Sequence, residues 1–222
     1  MAQNPWCVEK SKGLRASKLE KIINKFDKEY EHLMHINKFR DIRRYVRNIR
    51  NNSDLIVDKQ TFSVVSISSI AQLQPLYLNN LKDGICLYLS NFMLKANHDV
   101  DGFCICFDNI KLKEKEPRII NNDPTVMFLK ITFKLLILVL KENIQIKTKI
   151  IKIVPQKIFL DLFGMIEIII IKEAYKDFQY NEKNNIFVRK GKIYSLRDIV
   201  NFTIKRITYS DSGTHIKLLG YI

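Results

Sequence analysis

The chain has 222 residues, with 37 Lys and Arg against 23 Asp and Glu, for a net charge of +14. At 46% hydrophobic residues it can build a core, so wholesale disorder is excluded. Four Cys are too few for a disulfide scaffold, and 7 Gly and 5 Pro exclude collagen-like and low-complexity classes.

The 33 Ile and 18 Asn fit AT-rich coding, which says little about function. The most apolar run, 135–140, is six residues long, where a membrane span needs about twenty. The N-terminus shows no apolar stretch before its first charges. The expectation is a soluble, intracellular protein with reduced Cys and no membrane partner. Residues 1–60 hold 14 basic and 8 acidic residues, 61–140 hold 8 and 7, and 141–222 hold 15 and 8. The positive charge therefore sits at the two ends. Basic ends suit nucleic acid or an acidic partner, and equally suit a solubilising surface.

Residues 17–50 read as helix. Ser17 and Glu20 have the spacing of a capping box. Leu19, Ile22, Ile23, Phe26, Tyr30 and Leu33 follow at helical spacing. Asn37 is a break, and a second helix over 38–50 carries Arg40, Arg43, Arg44 and Arg47 on one face. Phe39, Ile42, Val46 and Ile49 share the opposite face. Arg at this density suits a phosphate or carboxylate partner, or a plain solvated surface.

From residue 61 the pattern changes. Residues 61–73 read as a strand. Pro75–Asn80 reads as one helical turn, and 84–95 as a helix with Ile85, Leu89, Phe92 and Met93 inward. Residues 100–112 read as a strand, and 113–125 as a charged loop. Residues 126–140 read as a long strand. Lys130, Thr132 and Lys134 form its wet face, with Met127, Leu129, Ile131 and Phe133 opposite. The last third reads as short strands at 143–154, 156–163, 165–171, 186–194, 198–207 and 214–221. The polar stretch 172–185 has room for a short helix. Such a series suggests a small closed barrel of the OB type. In the first of these strands Ile144, Ile146 and Ile150 give way to Ile151 and Ile153, the face change a bulge produces.

No Gly-rich phosphate loop and no G-x-S-x-G elbow occurs in the sequence. No C-x-x-C or H-x-x-x-H pair occurs either. The expectation is no metal, no cofactor and no catalytic residues. Cys86, Cys104 and Cys106 read as core residues. His32 and His35, one turn apart, read as surface or partner-contact residues.

The stretch QPLYLNNLKDGICLYLSNFMLKANHDVDGFCICFDNIKL, residues 74–112, resembles the forty-three-kilodalton stalk subunit family of eukaryotic RNA polymerase I. The matching features are Pro75 to Asn80, Gly84, and the apolar strand from Gly102 to Lys111. Related stalk subunits of polymerases II and III, and their archaeal counterpart, share the layout without the Tyr77-Leu78-Asn79-Asn80 stretch. The resemblance weakens beyond this segment. Phe159 and Glu167 stand where family members often carry Gly and Asn, and a long insertion and an acidic tail are missing.

Residues 1–59, which have no counterpart in the family, read as a basic helical extension. The resemblance covers about residues 60–222 and implies an α+β protein with a truncated RNP-like tip domain over 60–141 and an OB-fold barrel over 142–222. It implies a non-catalytic subunit acting in rRNA transcription initiation in the nucleus and nucleolus. Implied partners are the polymerase I core subunits, a smaller stalk subunit, the polymerase I initiation factor and nascent RNA. Pro75, Tyr77, Leu78, Asn79, Asn80 and Gly102 would meet the core or a partner. Lys147, Lys149, Phe159, Lys190, Lys192 and Arg206 would meet RNA through backbone charge and base stacking. A polymerase II or III stalk subunit, or a free-standing OB-fold RNA-binding protein, remains as the alternative.

Overall fold

A computed structural model describes residues 6–57, 60–114, 116–120, 123–155, 157–164, 166–170, 178–210, 212–214 and 216–222. The chain divides into two compact units. The first takes Met1–Arg47 and Asp58–Val139, and the second Asn48–Val57 and Leu140–Ile222.

The first unit is a six-stranded sheet with helices. Its strands are β1 (Cys7–Gly13), β2 (Phe62–Leu73), β3 (Lys95–Asn97), β4 (Gly102–Leu112), β5 (Arg118–Ile120) and β6 (Asp123–Leu138). They run in the order β1-β2-β6-β4-β3, and β5 pairs with β6. The ladder between β2 and β6 is unbroken from Phe62–Leu138 to Leu73–Met127. Alternation makes it possible. Met127, Leu129, Ile131 and Phe133 are buried on one face of β6, while Lys130 and Lys134 are exposed on the other. Beyond Lys134 both faces of β6 are buried, as the apolar run requires.

Among the described residues the α-helices are α1 (Ala16–Glu29), α2 (Asn37–Asn51) and α3 (Leu81–Ser90); all lie in this unit except the end of α2 from Asn48. Leu19, Ile23 and Phe26 of α1 are buried, as are Phe39, Ile42, Val46 and Ile49 of α2. Their aromatic members surround Phe107 of β4. Its ring centre lies 5.2 Å from Tyr30, 6.0 Å from Phe26 and 6.3 Å from Phe39, mostly edge to face. Trp6 closes another aromatic group, 5.2 Å from Phe92 and 5.6 Å from Phe133.

Several expectations need correction. Residues 1–59 are not a separate helical extension. Residues 7–13 form β1, which pairs antiparallel with β2; α1 and α2 as far as Arg47 belong to the first unit, and residues 48–57 to the second. The Ser17–Glu20 capping box does not form. The helix starts at Ala16 with Arg15 as N-cap and no side-chain cap, so Ser17 is already inside it. The third helix begins at Leu81, and its N-cap is Asn80 rather than a residue at Gly84. The charged segment 113–125 contains β5 and the start of β6, because Arg118 and Ile119 pair with Phe128 and Met127.

The second unit is built on a closed five-stranded barrel. Its strands are β7 (Gln145–Val154), β8 (Lys157–Leu162), β9 (Ile166–Ile170), β13 (Ile199–Tyr209) and β14 (Ile216–Tyr221). They close in the order β7-β8-β9-β14-β13, with β13 returning to β7. Among the described residues the β9–β14 pair is the parallel one in this barrel. Ile146, Ile150, Leu160, Leu162, Ile168, Phe202, Ile204 and Leu218 fill the interior. The expected bulge is present. Register shifts between Ile150 and Lys152, which turns Ile151 outward at 53% exposure and Ile153 inward.

Between β9 and β13 lies a small sheet of β10 (Gln179–Asn181), β11 (Ile186–Arg189) and β12 (Lys192–Tyr194). The expected strand over 186–194 is therefore a hairpin, turning at Lys190 and Gly191, both with positive φ. Residues 172–177, part of the expected helix, lie outside the described residues, and 179–181 are strand. Among the described residues no helix is long and apolar enough to cross a membrane.

Candidate functional site

Two surfaces, one in each unit, hold part of the residues singled out by the sequence. The first is the turn Pro75–Asn80, a 3₁₀ helix with no buried residue. Leu76 and Leu78 are 68% and 54% exposed. Two large apolar side chains held outward on one short turn suit a partner anchor. The turn is fixed from below. Tyr77 lies over Gly84, where an added Cβ would sit 2.7 Å from Tyr77 Cβ. Any side chain at 84 would displace the tyrosine, so the Gly is a packing requirement.

Asn80 caps α3, its Oδ1 accepting from the Asp83 backbone N–H at 3.4 Å. Its Nδ2 donates to Asp83 Oδ2 at 2.6 Å. Asp83 also lies 3.0 Å from His32 Nε2, and Lys82 pairs with Glu29 at 3.2 Å. The His32 contact, more than Asn80, holds the Asp83 carboxyl below its ordinary range, against a smaller opposing effect of burial. Tyr77 and Asn80 thus serve to shape the turn, while Leu78 and Asn79 are exposed on it. Gly102 is buried. A Cβ there would meet Ile137 Cδ1 at 3.0 Å and the Leu138 carbonyl at 3.1 Å, so it permits close strand packing. Leu76 escaped sequence reasoning, although its place between Pro75 and Tyr77 on a one-turn helix was a usable signal.

The Arg face of α2 separates into two kinds of residue. Arg43 Nε lies 3.2 Å from Asp27 Oδ1. Both atoms are buried and make no hydrogen bond, so this is a charge tie between α1 and α2. Arg40 (beside Asn37), Arg44 and Arg47 are exposed. Arg44 reaches Asp41 at 3.4 Å and stacks on Tyr45 at 5.4 Å.

The second surface is the outside of the barrel. The registers line up Lys152, Phe159, Ile169, Leu219 and Arg206 across β7, β8, β9, β14 and β13. Residues opposite one another share a face. Phe159 is 36% exposed, and Tyr221 on the same face of β14 is 37% exposed. A second register shift, between Ile204 and Arg206, leaves Lys205 and Arg206 side by side and exposed. Lys152 lies 5.8 Å from the Phe159 ring centre, and Lys205 5.4 Å from that of Tyr221. The result is an apolar, partly aromatic strip flanked by cations. This is the combination that stacks bases and holds a phosphate backbone.

The structure brings two of the expected RNA residues, Phe159 and Arg206, into this strip. Lys149 stands in the adjoining row opposite Asp161, and Lys147 opposite Asn201. Lys190 and Lys192 belong to the separate three-stranded sheet, where Lys192 lies 5.2 Å from the Tyr194 ring centre. Lys152, Lys205 and Tyr221 were missed. The adjacent Lys205-Arg206 pair interrupts strand alternation and was the available signal for a bulge.

Among the described residues no group of His, Cys, Asp and Glu could hold a metal. The Cys86 thiol is pushed up to about 12 by burial, and burial raises Cys104 and Cys106 as well. Those thiols stay protonated near neutral pH and are poor nucleophiles.

Comparison with known families bears on the first unit. Residues 68–124 match the SHS2 domain found in the N terminus of Rpb7p/Rpc25p/MJ0397. The matched segment runs from the second half of β2 through the turn, α3 and β4 into β6. It supports the RNA polymerase stalk-subunit family in general, and does not separate polymerase I from II or III. No curated protein matches the chain.

Proposed function

We propose that this protein is a non-catalytic stalk subunit of DNA-directed RNA polymerase I, acting in rRNA transcription initiation in the nucleolus. The observation that carries the reading is the SHS2 match over 68–124. The Tyr77-Leu78-Asn79-Asn80 stretch within that segment favours polymerase I over II or III. The barrel order, with strands one to three in sequence, the fifth beside the third and the fourth closing on the first, supports an OB domain.

In this reading the first unit is the tip domain. It meets the polymerase core, the smaller stalk subunit and the initiation factor through the turn bearing Leu76 and Leu78. Arg40, Arg44 and Arg47 offer a further surface to an acidic partner or to nucleic acid. The barrel meets nascent RNA through Phe159, Tyr221, Lys152, Lys205 and Arg206, with Lys147, Lys149, Lys190 and Lys192 adding backbone attraction.

Affinity purification of the full chain, with identification of the large subunit that accompanies it, tests the proposal. Recovery of the polymerase I large subunit is the expected result. Recovery of the polymerase II or III large subunit reassigns the stalk. Recovery of RNA without any polymerase subunit points to a free-standing RNA-binding protein.

A further inference from the structure

The first unit contains a cleft of about 380 Å³ that neither surface above uses. Its floor comes from sheet register: Val64, Leu136 and Cys106 stand side by side on β2, β6 and β4. Leu136 and Cys106 are buried, and Ile22 of α1 closes one wall half-exposed. The volume falls at the small end of the range for specific pockets, roughly 300–1,000 Å³. It accommodates one or two apolar side chains.

The rim is cationic. Lys18, Lys21 and Lys134 line the cleft and are exposed, and none of them takes part in an ion pair among the described residues. The carboxylate at the rim, Asp108, is already held by Lys25 at 2.6 Å. The charge continues past the cleft along α1. Lys21 also lines a second, shallower hollow with Asn24, Lys25, Lys28 and Glu29, the last of which is paired with Lys82 and Lys25. The spacing keeps Lys18, Lys21, Lys25 and Lys28 on one stripe of the helix; Lys25 is paired with Asp108 and Glu29, so Lys18, Lys21 and Lys28 carry the stripe's charge toward a partner.

We propose that this cleft and the lysine stripe beside it dock an acidic peptide segment of a partner protein, anchored by an apolar side chain. The cleft takes the anchor, and the stripe takes flanking Asp or Glu residues. A track longer than the cleft favours an extended chain over a small molecule. A closed apolar floor favours a side chain over a phosphate backbone. No residue of the barrel takes part, and the cleft would dock such a peptide whether or not the chain is a stalk subunit.

The test uses the full chain and a fluorescein-labelled peptide of Asp and Glu with one central Leu-Phe pair. Saturable binding is expected. Replacing Leu-Phe by Ser-Ser is expected to weaken it by about tenfold or more, as loss of a central anchor does. The triple variant Lys18→Glu, Lys21→Glu, Lys134→Glu is expected to lose about tenfold or more as well. Val64→Phe, which fills the cleft and keeps every lysine, is expected to abolish the advantage of Leu-Phe over Ser-Ser. Ile22→Trp, at a half-exposed helix position, carries the same test if Val64→Phe does not fold. Absence of saturable binding overturns the proposal, and so does equal binding of the two peptides. Tighter binding of a single-stranded uridine oligomer to the same lysines also overturns it, in favour of nucleic acid.

Discussion

The two units treat positive charge differently. In the first, basic side chains meet carboxylates: Lys25 with Asp108, Lys82 with Glu29, Arg43 with Asp27, Arg118 and Lys130 with Glu114. In the second, they lie more often over aromatic rings, as Lys152 does on Phe159, Lys192 on Tyr194 and Lys205 on Tyr221, although Lys217 meets Glu167 at 3.4 Å. A paired cation has its field cancelled at close range. A cation over a ring is held in place with its charge intact. The barrel therefore keeps its charge available to an anion. The sheet unit uses much of its charge to join elements, while Lys18, Lys21 and Lys28 of α1 enter no ion pair among the described residues.

Core removal should separate the units most strongly. Phe107→Ala empties the centre of four packed rings and is expected to cost about 3–5 kcal/mol in chemical unfolding. Phe159→Ala, on the barrel exterior, is expected to stay within about 0.5 kcal/mol. Equal losses would break the assignment of Phe159 as a surface residue.

Next comes the barrel seam. A Cβ at Gly220 would fall 1.9 Å from the Thr203 carbonyl oxygen and 2.7 Å from Phe202 Cζ. Gly220→Ala is expected to cost roughly 3 kcal/mol, at the upper end for overpacking, because backbone must move. An unchanged melting curve would show that the β13–β14 contact is looser than described.

The difference in charge use predicts RNA binding. Phe159→Ala or Tyr221→Ala should weaken binding of a single-stranded oligomer by about 1–3 kcal/mol. Lys152→Ala or Arg206→Ala should each reduce the salt slope by roughly one. Lys25→Ala, which removes a paired cation, should leave both unchanged. If Lys25→Ala has the same effect as Lys152→Ala, the distinction fails.

The smallest effect concerns acid stability. Hydrogen bonding from His32 holds Asp83 below its ordinary range. Its contribution is complete above the unfolded value of about 4 and is lost as pH falls through the lower folded value. Asp83→Asn should remove that part of the acid limb, by ~0.5 kcal/mol, since His32 is half-exposed. A pH–stability curve identical to that of the parent protein would remove the His32–Asp83 pair from the account.

Much of the fold was legible wherever one strand or helix reports its own burial. The alternation of 126–134 specified both faces of β6, and the Phe39, Ile42, Val46 and Ile49 spacing specified the buried side of α2. The face change at Ile150–Ile151 marked the bulge. What stayed hidden depends on neighbours distant in sequence. Residues 7–13 alternate weakly and are mostly exposed, so only the ladder to β2 reveals a strand. Ser17 and Glu20 have cap spacing, yet Leu14 bonds backbone to Phe62 and α1 starts before Ser17.

The sequence by itself determined the type and buried face of the long helices and strands and the segment that carries the family match, because these depend on local spacing and residue identity. Only the tertiary structure decided which surface residues act together. Phe159 and Arg206 are 47 positions apart in the chain, and Ile169 and Leu219 join them solely through strand register. The cleft beneath Lys18 and Lys21 likewise exists only where α1 meets three strands. Register and packing are long-range quantities, fixed by the whole core at once.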